Sequence, residues 1–180
     1  MRMDEQCPGP SVVSITLGKL PTSASLRFAF SHPAHALALM GGVGVIRFAP
    51  GTFGTLLAVP LHFWLAQRAD LHVHLLVLGL LFVLGIWASG RTARDLGIPD
   101  HGGIVIDETV AFLIVLYFTP DSRMWQAFAF LLFRLFDIFK PPPIRHFDRT
   151  VHGGFGVMFD DLLAAGYTLL CLAMVKVVID

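Results

Sequence analysis

Charge is what this 180-residue chain has least of: Asp, Glu, Lys and Arg make up 14% of it, against 55% hydrophobic residues. A soluble globular domain carries about a quarter charged residues, so an ordinary soluble domain is excluded. Basic and acidic residues balance at 13 each, and no run of Lys or Arg occurs. That removes the electrostatic footprint of a nucleic-acid-binding protein. Cysteine is scarce too. Cys7 falls in a polar stretch and Cys171 in an apolar one, which gives no disulfide framework. There is no HExxH, no Cys/His set with zinc spacing and no Lys-Ser/Thr ending of a P-loop. Asp4 and Glu5 argue against a cleaved signal peptide. Without a Gly/Ser linker, an internal repeat or a low-complexity tract, the length suits one domain.

What is present is apolar sequence gathered into segments. Residues 1–30 are mixed and rich in Ser, Pro and Gly, and are expected to form a poorly ordered tail. Ser31 is placed to cap a short interfacial helix over 31–40, with Pro33 in its first turn. After the loop Phe48–Thr55 come five apolar segments, at about 55–67, 73–89, 104–118, 124–139 and 162–178. Several are shorter than the ~20 residues of a straight span, but short spans cross where the bilayer thins. The expected fold is all-α: a polytopic membrane bundle of about five apolar helices, filling a domain over residues 31–180. With the N-terminus on the cytoplasmic side, Arg68, Arg123 and Lys176 fall on the far side, and the other ten of the 13 Lys and Arg fall inside. This follows the positive-inside rule.

The few charges sit where they are expensive. Asp107-Glu108 and Asp160-Asp161 lie hard against apolar segments, and Asp137 lies between Arg134 and Lys140. Ionisable groups at a membrane boundary cost several kcal/mol unless paired, hydrated or metal-bound, and so mark function. Under this topology all of them share the cytoplasmic face. The four paired acids offer hard oxygen donors of the type Mg²⁺ prefers. Adjacent acids on a helix diverge by about 100°, so the two of a pair are not expected to chelate one ion symmetrically. The alternative for Asp160-Asp161 is a pair of helix-end charges ahead of Leu162. Arg134, Asp137 and Lys140 follow i, i+3, i+6 spacing on one helix face. They can act as a phosphate clamp around a carboxylate, or form a salt-bridged ladder. Pro141-Pro142-Pro143 then stops the helix. Ala49-Pro50-Gly51-Thr52-Phe53-Gly54-Thr55 reads as a glycine loop opening a helix, able to bind an anion or serve as an ordinary turn. Gly153-Gly154-Phe155-Gly156 would allow close packing behind Asp160. His101, His146 and His152 match no ligand spacing, and His72 and His74 fall on the far side, where they read as interfacial.

The order of these motifs is specific. Ala49-Pro50-Gly51-Thr52, Ile104-Val105-Ile106-Asp107-Glu108, Arg134 to Ile144 and Gly153 to Asp161 together resemble the phosphatidylglycerophosphatase A family. Ala111 departs from the pattern, which has a glycine there, and Arg47-Phe48 replaces a proline-containing approach. The resemblance implies a Mg²⁺-dependent lipid phosphatase of the bacterial inner membrane. Such an enzyme converts phosphatidylglycerophosphate to phosphatidylglycerol and phosphate, with no obligatory protein partner. It implies Asp107, Glu108, Asp160 and Asp161 as metal ligands, and Arg134 and Lys140 on the phosphate. Asp137 is then base or nucleophile, with Thr52 lining the site. Two alternatives stand beside it. A CDP-alcohol phosphotransferase-like enzyme would also use paired acids, but its multi-Asp signature is missing. A small ion-coupled transporter would suit intramembrane acids, but no polar trail crosses the segments.

Overall fold

A computed structural model describes residues 24–179 of the chain. Among them there is no strand. The elements are α1 (Leu26–Ala29), α2 (Pro33–Ala38), a 3-10 turn (Met40–Val45), α3 (Pro50–Ala66), α4 (Leu71–Leu96), α5 (Ile106–Phe118), α6 (Arg123–Phe139), α7 (Ile144–Thr150) and α8 (Gly153–Ile179). Most of the tail expected over 1–30, Cys7 included, lies outside the described residues. Its last part forms α1, capped by the Ser25 hydroxyl, which accepts the Phe28 amide at 3.2 Å. The helix expected over 31–40 is shorter, and Ser31 is not its cap. His32 caps it, with Nδ1 accepting from the Ala34 amide at 3.1 Å. Ser31 instead donates to the Phe28 carbonyl at 2.7 Å.

All five apolar segments are helices, several with moved ends. α3 starts at Pro50, because proline is preorganised for the first helical position. The expected loop from Pro50 to Thr55 is therefore helix. α4 continues past Ser89 to Leu96, and α8 starts at Gly153 instead of Leu162. The reason for the early start of α8 is close approach. A Cβ on Gly154 would fall on the Ile86 carbonyl and within 2.6 Å of the Gly90 amide of α4. Gly154 is thus a contact point between two helices, while Gly156 backs onto the Val151 carbonyl.

Among the described residues, only α4 and α8 are long and apolar enough to cross a membrane by themselves. α3, α5 and α6 have 17, 13 and 17 residues, short of the ~20 a straight span needs. Of the five apolar helices expected to span, two are long enough to cross alone and three are shorter. α5 stands at the centre, packed on α3, α4, α6 and α8. It is apolar all round, the pattern of a buried helix. Phe112 is fully buried, with its ring 5.4 Å from Phe133 and 5.8 Å from Phe130. Burying such a side chain contributes roughly 1.5–3 kcal/mol. Ala111, where the family pattern has glycine, is buried in the same core, so its methyl is accommodated.

Candidate active site

The central helix begins inside the bundle, and its first turn carries Asp107 and Glu108. Free amides and the helix dipole favour carboxylates there, and Asp107 Oδ1 accepts the Glu108 amide at 3.0 Å. The early start of α8 places Asp160 and Asp161 within the helix, not at its end, and Asp161 beside the start of α5. One oxygen each from Asp107, Glu108 and Asp161 lies within 4.8 Å of the others. Asp107 and Glu108, though adjacent, bring their carboxylates together, whereas Asp160 stays outside the group that Asp161 joins. Glu108 has one more methylene than Asp107, and its carboxylate swings round to the same place. Asp107 is 8% exposed and Asp161 3%.

Arg134 of α6 anchors this cluster. Its Nη1 is 2.6 Å from Asp137 Oδ2, 3.9 Å from Glu108 Oε1 and 3.4 Å from Thr55 Oγ1. Thr55 in turn donates to the Gly51 carbonyl at 2.8 Å. A Cβ on Gly51 would land on the Glu108 carboxylate and 3.2 Å from Arg134 Nη1. The first turn of α3 is thus a wall laid against the acids, in place of the expected glycine loop. Thr52 stands in that turn, half-buried; the hydroxyl that reaches Arg134 belongs to Thr55. The Thr109 hydroxyl lies 2.9 Å from the Gly54 carbonyl and 2.8 Å from that of Val105, clipping α3 to α5.

Lys140 leaves the face shared by Arg134 and Asp137. It ends α6 in a left-handed conformation (φ 41°), and its Nζ bonds both Asp148 Oδ1 (2.6 Å) and Asp160 Oδ2. The proline turn behind it is fastened to α8 by Tyr167, whose hydroxyl donates to the Pro142 carbonyl at 3.0 Å. α7 then returns, bringing Asp148 back to Lys140. Burial disfavours the ammonium, but the two carboxylates outweigh it and hold the Lys140 pKa above the usual lysine value. The expected clamp therefore takes the form of two separate ion-paired groups: Arg134 with Asp137, and Lys140 with Asp148 and Asp160. Asp160 lies next to the three converging acids without joining their cluster. Sequence reading missed Asp148 and Thr55. For Asp148 the one signal is its place as the only acid in the basic stretch Arg145–Arg149.

Six carboxylates (Asp107, Glu108, Asp137, Asp148, Asp160, Asp161) thus face two cations. Glu108 Oε2, Asp160 Oδ1 and Asp161 Oδ2 are buried without a hydrogen-bond partner. Buried, uncompensated carboxylates cost several kcal/mol, and a hard divalent cation is the ligand that all-oxygen donors accept. The donor set fits Mg²⁺. The histidines stay out of it. His101 accepts the Gly103 amide at 3.0 Å. His74 is buried, not interfacial, against Tyr117 at 4.5 Å between ring centres.

The acids, the arginine and the proline turn all fall within residues 36–176, the stretch matched by the family model for phosphatidylglycerophosphatase A. The chain belongs to that family. It is 42% identical over 146 residues to the phosphatidylglycerophosphatase A of Haemophilus influenzae, covering 81% of this chain and 90% of the relative. It is also 42% identical over 143 residues to that of Escherichia coli, covering 78% and 82%. A Bacteroides thetaiotaomicron relative, 39% identical over 145 residues (77% and 90%), is provisionally named a phosphatidylinositol-3-phosphatase. No solved structure matches the chain.

Proposed function

We propose that the chain hydrolyses the phosphate monoester of phosphatidylglycerophosphate at the cytoplasmic face of a bacterial inner membrane, with Mg²⁺ held by Asp107, Glu108 and Asp161. Membership of the family makes it a phosphatase of phospholipid biosynthesis, and decides against the transporter and phosphotransferase alternatives. The observation that carries the site is the convergence of three acids from α5 and α8, of which Glu108 and Asp161 keep a buried, unpartnered oxygen. Asp160 offers its free Oδ1 as a further ligand while Oδ2 stays on Lys140.

A bound divalent ion neutralises phosphate charge and lowers the pKa of a bound water. The protein supplies the rest. Arg134 and Lys140 turn their donors to the phosphate oxygens, where charge-assisted bonds are strongest. Asp137 takes the proton of the attacking water, and Arg134 holds its carboxylate in place. The water oxygen bonds to phosphorus, the ester P–O bond breaks, and the departing alkoxide takes the proton that Asp137 collected, giving phosphatidylglycerol and inorganic phosphate. Thr52 lines the site from the first turn of α3.

Five crossings with the N-terminus inside is the topology we favour. The distribution of ten basic residues against three supports it. So does the apolar surface: α4 exposes Leu75, Leu76, Leu80, Val83 and Trp87, and α8 exposes Leu170, Met174 and Val177. Apolar patches of that extent mark a membrane or a partner. Phosphate release from phosphatidylglycerophosphate by detergent-purified protein tests the reading. Excess EDTA should abolish release and added Mg²⁺ should restore it; release unchanged in EDTA would remove the metal from the account.

A further inference from the structure

α3 and α6 both pack on α5 without packing closely on each other. The space between them is a mainly apolar cavity of about 380 Å³, lined by Leu56, Val59, Ala127, Phe130 and Leu131, with Gln126 in its wall and Arg123 at its far end. Its lining stops one helical turn short of the site, where Arg134 lies 3.4 Å from Thr55. Val59 stands one helical turn beyond Thr55, while Leu131, Phe130 and Ala127 stand three, four and seven residues before Arg134. Such spacings put them on the Arg134 face. Arg123 lies eleven positions before Arg134, about 16 Å of helix. Leu56, Ala127 and Leu131 are exposed, so the groove is open along its side.

We propose that this groove holds an acyl chain of the substrate lipid while its phosphate sits at Arg134, and that the small Ala127 leaves the room for it. The proposal rests on the functional reading above and adds a place for the tail. A groove one helical turn from the arginine assigned to phosphate, mainly apolar and open sideways, admits a chain sliding in from the membrane. A water-soluble phosphomonoester would have no use for it. Another apolar cavity, by Phe118, Trp125 and Leu172, lies at the opposite end of the bundle and does not meet the site.

Ala127→Trp tests this, because an exposed alanine can be enlarged without touching the core. The kcat/KM for long-chain phosphatidylglycerophosphate is compared with that for its dibutyryl form, whose chains are too short to fill the groove. Ala127→Trp should lower kcat/KM at least ~10-fold for the long-chain lipid and leave the short-chain value within about twofold, as expected when pocket contacts are lost. Leu131→Trp should act in the same direction. Leu76→Trp, on the exposed face of α4, should change neither. Unaltered long-chain activity in both groove variants, or equal losses on the two lipids, would overturn the groove. Wild-type protein inactive on both lipids would instead overturn the functional reading and the groove with it.

Discussion

At one end of the bundle three carboxylates from α5 and α8 converge beside Arg134. At the other, His62, His74, Tyr117, Thr119 and Asp121 line a cavity of about 360 Å³. Both ends bury polar atoms without partners: carboxylate oxygens at the first, His62 Nδ1 and His74 Nε2 at the second. The two are not equivalent. An unsatisfied neutral group costs about 1–3 kcal/mol, whereas an uncompensated buried charge costs several. Among the described residues only the first end brings three ligand atoms within 4.8 Å of one another. Burial of polar groups alone does not mark a site; excess charge with converging, open oxygens does.

The largest expected effect sets the two ends against each other. Asp161→Asn replaces a hard ligand with a weaker amide and should lower turnover by at least ~100-fold, about 2.7 kcal/mol of transition-state stabilisation. Asp121→Asn, an exposed change at the other end, should leave turnover near wild type, since such substitutions usually stay within about 0.5 kcal/mol. Normal turnover in both variants would break the comparison. A smaller effect contrasts two helical glycines. Gly51→Ala pushes a methyl onto Glu108, and overpacking of this kind costs about 1–3 kcal/mol; turnover should fall and the unfolding temperature with it. Gly79 has no heavy atom near enough to meet a Cβ. Gly79→Ala should keep full turnover and gain roughly 0.5–1 kcal/mol from better helix propensity. Equal behaviour of the two glycine variants would remove α3 from the site wall.

Much of this comparison is legible in the chain itself. The all-helical build shows in the apolar segments, and the i, i+3 spacing of Arg134 and Asp137 gives their ion pair. The ends of α6 lie within one residue of the pattern. What is hidden follows from contacts that periodicity does not carry. Gly51 and Gly154 look like loop residues, because a glycine chosen for the close approach of a neighbour is indistinguishable from one chosen for a turn. Lys140 leaves its helix face because it ends α6 in a left-handed conformation. Asp148 reaches it only because the proline turn reverses the chain. The convergence of Asp107 and Glu108 depends on how far each side chain extends from an open first turn, which spacing alone does not describe.

The central claim is that the acids of α5 and α8 form one divalent-cation site, and Mg²⁺ binding tests it without reference to turnover. Purified wild-type protein, Asp161→Asn and Asp121→Asn are titrated with Mg²⁺ by calorimetry in detergent. Wild type and Asp121→Asn should bind with the same affinity, and Asp161→Asn at least ~10-fold more weakly, about 1.4 kcal/mol. Equal affinity in all three, or a loss confined to Asp121→Asn, would contradict the account.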